Sequence, residues 1–322
     1  MKCDQYPCKY CFTSCAIKRK RTSFKPDELA TTFVALQHAK RVDGLFLSSG
    51  IVPDANTTME KMLATAERLR LREGYTGYIH LKLIPGASFE YIERAVELAD
   101  RVSLNLEAPN QARLIDLAPD KEFASSMWGR LAWAAELIRR ARAEGRQAAR
   151  SLTTQFVVGA VGESDRELLE TVDRAHRELD LKRAYFSAFH PIERSPFAEQ
   201  PAEDATRAFR LYQADFMLRD YGFSAAELPF DDQGLLPRDK TTKQAWAERH
   251  LVEPVEVNRA SRATLLKIPG IGPRSADRII EARRETKLRD MAQLKALGVT
   301  IARSVPYLLL DGRRAPEQLR LW

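Results

Sequence analysis

Short apolar stretches alternate with segments of helical periodicity between about residues 26 and 192. Each apolar stretch is bounded by turn-forming residues, and an amphipathic segment separates it from the next. This alternation is typical of parallel βα units rather than of an all-helical or all-strand protein. The strands are predicted at residues 44–49, 78–86, 101–109, 151–160 and 183–192, and helices include residues 88–99 and 122–144. Capping boxes are predicted at Thr57/Glu60 and Ser164/Glu167.

The residues on the two faces of the predicted strands distinguish between the possible architectures. In residues 78–86 the apolar Ile79 and Leu81 alternate with His80 and Lys82, and residues 101–109 alternate in the same way. Strands buried on both faces of a flat parallel sheet are almost uniformly apolar. A polar inner face therefore favours a partial barrel with a wet or ligand-filled interior over a doubly wound sheet.

All four cysteines lie within the first fifteen residues, in the stretch CDQYPCKYCFTSC. Four thiols in one loop cannot cross-link a chain of 322 residues, so they are interpreted as ligands of a metal or cluster. The chain has no apolar run long enough for a membrane span and no leader-like segment, which predicts a cytoplasmic protein without a membrane partner. Spacing alone leaves a structural zinc and an iron–sulfur cluster both open.

The cysteine loop followed by βα repeats, with the aromatic Tyr10 directly before the third cysteine, resembles the radical S-adenosylmethionine (radical SAM) superfamily. The resemblance implies a partial (β/α)6 TIM-like barrel, with three cysteines on a [4Fe–4S] cluster whose fourth iron binds S-adenosylmethionine. Reduction would then yield a 5′-deoxyadenosyl radical, with an electron donor such as flavodoxin or ferredoxin. The implied ligands are Cys3, Cys8 and Cys11.

Two details depart from the superfamily pattern. Cys3 and Cys8 enclose four residues where the superfamily has three, and the barrel strand that usually precedes the first cysteine is absent from this sequence. Cys15 is not expected to be a ligand, because ligation of the fourth iron would leave no site for the cofactor.

The resemblance also implies residues that contact the cofactor. A degenerate glycine-rich segment ends the first predicted strand, polar residues end a later one, and the 159–162 turn lies in the adenine-side segment. The implied cofactor-binding residues are Tyr10, Ser48, Ser49, Gly50, Asn105, Glu107 and Gln155. His80 and Lys82, on the polar strand face, are candidates for a proton donor and an anion anchor for substrate. The alternative for this pair is a buried polar lining of the barrel.

Stretches such as GLFLSSG, GYIHLKLIPGAS, TTQFVVGAVGESD and LYQADFMLRDYGF resemble a narrower group, the radical SAM proteins assigned to DNA modification or repair. This likeness extends from Cys3 to about Val299. It implies a role in DNA modification or repair without supplying the reaction.

Residues 265–284 read as helix, Pro-Gly-Ile-Gly turn and helix, which resembles a helix-hairpin-helix motif. The turn glycines allow close approach to a DNA phosphate, and the backbone N–H groups that follow point at it. The expected DNA contacts are Lys267, Gly270, Gly272, Arg274 and Arg278. Leu266, Ile268, Ile279 and Ile280 are expected to form the core, and a second hairpin is predicted at residues 297–299.

The charge distribution agrees with a polyanionic partner at this end of the chain. Residues 259–322 carry 14 Lys and Arg against 6 Asp and Glu, whereas the remaining residues carry 37 against 38. Localised positive charge is typical of a surface that binds nucleic acid.

The predicted domains are a radical SAM partial barrel at 1–200, a helical extension and linker at 201–254, and a small all-α helix-hairpin-helix domain at 255–322. Two other functions remain open at this point. One is a DNA-binding accessory protein with a structural zinc or iron–sulfur site and no catalysis. The other keeps the radical chemistry but acts on RNA or protein.

Overall fold

The computed structural model describes residues 3, 7–14, 17 and 22–314. The chain divides into two compact units. The first comprises Met1–Glu163 and Arg174–Ala208, and the second comprises Ser164–Asp173 and Phe209–Trp322. From Phe209 onward, the predicted linker region therefore belongs to the same unit as the helix-hairpin-helix segment.

The first unit is built from alternating strands and helices, as predicted. Its strands are β1 (Gly44–Leu47), β2 (Tyr78–Lys82), β3 (Arg101–Ser103), β4 (Ser151–Val158) and β5 (Arg183–Ala188). Its helices are α1 (Pro26–His38), α2 (Ala55–Glu67), α3 (Phe89–Leu98), α4 (Gln111–Leu117) and α5 (Gly129–Ala143), and α6 (Asp165–Leu179) connects β4 to β5.

The five strands form one parallel sheet in the order β1-β2-β3-β4-β5, which confirms the predicted α/β class. The register pairs His80 of β2 with Phe46 of β1, and Lys82 with Ser103 of β3. Because all neighbouring strands are parallel, their carboxyl ends lie at one edge of the sheet.

The predicted difference between the two strand faces is confirmed. Ile79, Leu81 and Leu83 are fully buried, whereas His80 and Lys82 are half-buried on the opposite face. Val102, Leu104 and Leu106 are likewise fully buried. The apolar face forms the core with the helices, and the polar face is the one available to a ligand.

Two local predictions need correction. The helix predicted to start at a Thr57/Glu60 capping box instead begins at Ala55, with Asp54 as its N-cap. The Asp54 carboxylate accepts from the Thr57 backbone N–H at 2.9 Å, and this bond lowers the pKa of Asp54 below its usual value. The helix predicted at 122–144 is a π-helical segment, Phe123–Trp128, that runs into α5. The Ser164/Glu167 capping box is confirmed.

The second unit is mainly helical. Its helices are α7 (Ala205–Tyr221), which begins in the first unit, α8 (Thr242–His250), α9 (Arg262–Lys267), α10 (Pro273–Glu285), α11 (Met291–Ala296) and α12 (Ile301–Ser304). Leu266, Ile268 and Ile279 lie in its core, and Ile280 packs against that core, as predicted.

The second unit also contains a small sheet that the all-α prediction omitted. Its strands are β6 (Val255–Glu256), β7 (Leu308–Leu310) and β8 (Arg313–Arg314). Strands of two or three residues are too short to show an alternating pattern, which explains why the sequence did not reveal them. Across the described ranges, no helix is both long enough and apolar enough to cross a membrane.

Candidate active site and nucleic-acid interface

The cysteine loop is folded on itself by backbone hydrogen bonds. The Cys11 N–H donates to the Cys8 carbonyl at 3.4 Å, and the Cys3 N–H donates to the Thr13 carbonyl at 2.9 Å. Cys3 and Cys8 are buried, and Cys11 is half-buried. The three thiols predicted as ligands therefore lie in one compact loop. Cys15 lies outside the described residues, so its role stays a prediction.

This loop is attached to the chain that follows the third strand. The Lys9 N–H donates to the carbonyl of Leu117, the last residue of α4, at 3.0 Å. Lys121 lies four residues further along the chain and is buried near the cysteines. It is not among the site residues predicted from the sequence. Burial lowers the pKa of Lys121, but its electrostatic interactions with Cys8 and with the Glu107 carboxylate outweigh that effect, so this pKa lies above its usual value.

Glu107 is buried at the carboxyl end of the sheet in an unusual conformation. Its φ of 65° lies in the left-handed region, which is rare for a residue with a side chain. Its N–H donates to the Gln155 carbonyl at 2.9 Å, and its carbonyl accepts from the Val157 N–H at 2.8 Å. Backbone strain of this kind, held in place by bonds on both sides, is often found at functional sites.

The two carboxylate oxygens of Glu107 differ in their surroundings. Oε1 lies 3.9 Å from the Lys121 ammonium, whereas Oε2 is buried without a hydrogen-bond partner among the described residues. Burial, together with the nearby carboxylate of Glu107, raises the pKa of Tyr10 well above its usual value. Glu107 and Tyr10, both expected near the cofactor, are thus brought together beside the cysteine loop.

The two candidate catalytic residues lie on β2. The His80 Nε2 is 2.8 Å from the Ser103 hydroxyl, and its ring lies 4.5 Å from the ring of Phe46. Burial and the positive charge of Arg101 lower the pKa of His80 to about 4, so the ring is neutral at pH 7. Burial also lowers the pKa of Lys82, although the Glu107 carboxylate opposes that shift.

The other expected cofactor-binding residues lie on the segments that follow β1 and β3 and on β4. Ser48, Ser49 and Gly50 follow β1, and the Ser49 hydroxyl donates to the Gly50 carbonyl at 2.7 Å. Asn105 is half-buried on the same chain segment as Glu107. Gln155 is half-buried on β4, where it pairs with Tyr185 of β5.

A buried ionic network holds the turn at residues 159–162, and the sequence analysis did not find it. The Glu163 carboxylate accepts from the Gly159 and Val161 N–H groups at 2.5 Å and 3.3 Å. Arg207 donates to the Glu203 carboxylate at 2.7 Å and lies 3.6 Å from Glu163. Glu163 stands four residues after Gly159, a spacing that could have suggested this bond, but the distant Arg207 gave no signal.

The chemistry of the donors fits an iron–sulfur cluster. No three His, Cys, Asp or Glu side chains in the described ranges are arranged around a single metal ion. An iron–sulfur cluster requires a different arrangement of ligands, because each thiolate binds a different iron. The sulfurs therefore need not surround a single point. The buried Glu107 Oε2 has no hydrogen-bond partner among the described residues, so it is a vacant acceptor beside the loop. Burial raises the pKa of Cys8 to about 12, so loading a cluster must displace a proton.

The helix-hairpin-helix turn has the predicted form. Gly270 has a φ of 85°, and a Cβ at this position would lie 2.5 Å from the Thr300 carbonyl oxygen. Gly272 is the N-cap of α10. Arg274 and Arg278 are exposed on α10, where they are available to a phosphate backbone. The predicted second hairpin is also present, between α11 and α12.

Lys267 is placed differently from the other predicted DNA contacts. Its ammonium lies 2.6 Å from the Glu227 carboxylate and 5.1 Å from the ring centroids of Phe223 and Trp246. The Lys267 ammonium is thus already paired with a carboxylate of the second unit, and its role as a DNA contact stays a prediction.

Comparison with known proteins agrees with this geometry. The radical SAM superfamily matches residues 2–175, and a helix-hairpin-helix motif matches residues 252–298. None of the curated proteins matches the sequence.

Three solved structures resemble the fold of the chain. Methylornithine synthase (PylB) is 14% identical, with a TM-score of 0.53 over 68% of this chain and 59% of that one. A radical SAM methyltransferase from Sphaerobacter thermophilus is 18% identical, with a TM-score of 0.50 over 67% and 61%. HydG, a maturase of the [FeFe]-hydrogenase, is 10% identical, with a TM-score of 0.50 over 68% and 47%. The match thus spans about half to three-fifths of these proteins, and at such identities it speaks for the fold alone.

The superfamily match covers more than half of the sequence and includes the three cysteines and every strand up to β4. Superfamily members use a [4Fe–4S] cluster and S-adenosylmethionine. The chain belongs to the radical SAM superfamily.

Proposed function

We propose that this protein is a radical SAM enzyme that modifies or repairs DNA, with its helix-hairpin-helix segment as the DNA-binding element. The observation that carries the proposal is the presence in one chain of a radical SAM domain, with its cysteine loop beside Glu107, and of a helix-hairpin-helix motif. The superfamily supplies the chemistry, and the hairpin indicates the class of substrate.

Each residue of the site has a proposed role. Cys3, Cys8 and Cys11 would hold the cluster, which together with S-adenosylmethionine supplies a 5′-deoxyadenosyl radical when reduced by a flavodoxin or ferredoxin. Glu107 would accept hydrogen bonds from the cofactor through its unpartnered Oε2. The buried Lys121 would offset the negative charge of the thiolates and of a bound carboxylate. Ser48, Ser49, Gly50, Asn105 and Gln155 would complete the cofactor contacts.

His80 and Lys82 would face the substrate. Because His80 is neutral at pH 7, it would transfer a proton through the neutral ring and not as an imidazolium acid. Lys82 would hold an anionic group of the substrate, and that anion would favour its charged form.

DNA binding is supported by the backbone and side chains of the hairpin. Gly270 and Gly272 carry no side chain in the turn, and Arg274 and Arg278 are exposed on the helix that follows it. Contacts to phosphate carry no base information, so binding should tolerate many sequences and weaken with salt.

The test uses the reconstituted enzyme with S-adenosylmethionine, a reductant and cellular DNA, followed by mass spectrometry of the nucleosides. We expect 5′-deoxyadenosine together with an altered deoxynucleoside. The matched control is Gly272→Glu, which should keep the cluster but lose DNA binding and the altered nucleoside. Formation of 5′-deoxyadenosine with no altered deoxynucleoside, together with an altered ribonucleoside or peptide when RNA or protein replaces the DNA, would refute DNA as the substrate.

A further inference from the structure

The turn of the first hairpin is fixed by the second hairpin. The Thr300 N–H donates to the Gly270 carbonyl at 2.9 Å, and Thr300 comes immediately before α12. The Ser275 hydroxyl of α10 donates to the carbonyl of Gly298 at 2.8 Å. The two hairpins therefore hold the Pro269–Gly272 backbone in one position.

A lysine from outside the motif reaches this turn. Lys243 is the second residue of α8, and its ammonium donates to the Ile271 carbonyl at 2.6 Å. The same ammonium lies 4.5 Å from the centroid of the Tyr221 ring. One hydrogen bond uses one of the three donors of an ammonium group, which leaves two for a ligand.

The surroundings of Lys243 form a cavity of about 390 Å³ beside the turn. The charged side chains that line it are Lys243 and Arg303, and no Asp or Glu of the described chain belongs to the lining. Burial lowers the pKa of Lys243 to about 7, and no carboxylate among the described residues compensates for that shift. A cation left without a counterion in a cavity favours an anionic ligand.

We propose that this cavity is a phosphate-binding site for the DNA backbone, in which Lys243 and Arg303 supply the charge and the Pro269–Gly272 turn supplies the wall. The inference rests on the proposed DNA function and extends it, because neither residue belongs to the helix-hairpin-helix turn itself. Arg303 reaches the site from α12, where its Cβ lies 3.3 Å from the Cβ position of a side chain at Gly270. The site takes a phosphodiester group irrespective of the neighbouring base.

The test compares the DNA affinity of three single variants of the full chain with that of the wild type. Lys243→Met should weaken binding to every DNA sequence by roughly tenfold at low salt, and should reduce the salt slope by about one. Lys243→Arg should retain most of the affinity. Lys295→Met is the matched control, since Lys295 is an exposed lysine of the same unit that does not line the cavity, and it should bind nearly as the wild type does. Thermal unfolding checks that each variant is folded.

The variant Gly272→Glu distinguishes a failure of the proposed cavity site from a failure of the proposed DNA function. Loss of affinity in both Gly272→Glu and Lys243→Met supports the site. Loss in Gly272→Glu with wild-type affinity in Lys243→Met overturns the site and leaves the DNA function standing. A wild type that does not bind DNA overturns both. Free phosphate is the other possible ligand of the cavity. Phosphorus NMR with inorganic phosphate, at constant ionic strength, measures whether the wild type and Lys243→Met bind it. A Lys243→Met variant that loses free phosphate but keeps DNA affinity would also overturn the site.

Discussion

The Lys121 ammonium lies 3.9 Å from the Glu107 carboxylate, and the two side chains are only 8% and 9% exposed. Removing one member of a buried ion pair leaves the other charge without compensation. We expect Lys121→Met to lower the free energy of unfolding of the cluster-free protein by about 3 kcal/mol. The double variant Lys121→Met/Glu107→Leu should recover most of that loss.

Denaturant unfolding of the single and double variants measures this coupling. Arg140→Met is the control, because the Arg140–Glu144 pair is exposed to solvent and its loss should leave the stability nearly unchanged. Additive effects of the Lys121 and Glu107 changes would show that the pair is not coupled.

Glu107→Gln tests the role of the unpartnered oxygen. The amide keeps the size of the side chain but replaces a charged acceptor, so we expect affinity for S-adenosylmethionine to fall roughly tenfold with the iron content unchanged. Equilibrium dialysis with the loaded protein measures the affinity, and Glu170→Gln on the exposed surface of α6 is the control. Unchanged affinity in Glu107→Gln would remove this residue from the cofactor site.

His80 should remain neutral well below pH 6. Burial and Arg101 lower its pKa to about 4, whereas the unfolded chain has a value near its usual 6.5. The unfolded state therefore binds a proton first, and the contribution of His80 to folding stability falls as the pH drops from about 6.5 to about 4. NMR titration of the ring, assigned with His80→Gln, measures the midpoint. A midpoint near 6.5 would contradict the burial seen here.

Arg274 and Arg278 should each contribute one phosphate contact. Replacing either with Gln should weaken DNA binding for all sequences and reduce the slope of log affinity against log salt by about 0.9. Arg284→Gln is the control, because Arg284 lies on the same helix and forms an exposed ion pair with Glu281. A slope that stays at the wild-type value in both variants would place the DNA elsewhere.

The sequence predicted the sheet and the helix-hairpin-helix turn well, because both depend on local patterns. Alternation in residues 78–86 correctly separated buried Ile79 and Leu81 from His80 and Lys82. The Gly270 turn was also predictable, because its positive φ requires glycine there.

Other features depend on contacts between distant residues, and the sequence could not reveal them. Lys121 looks like an ordinary loop lysine until the Lys9–Leu117 hydrogen bond brings the cysteine loop beside it. Lys243 lies 28 residues before the carbonyl it contacts, and Arg207 lies 44 residues after Glu163. The ion pair of Lys267 with Glu227, 40 residues away, likewise has no local signature.

Anaerobic reconstitution with iron and sulfide tests the central claim most directly. We predict about four irons per chain, absorbance in the visible range, and formation of 5′-deoxyadenosine from S-adenosylmethionine on reduction. Substitution of Cys3, Cys8 or Cys11 by Ala should abolish that product. One zinc per chain, with no visible absorbance and no cleavage of the cofactor, would contradict the account.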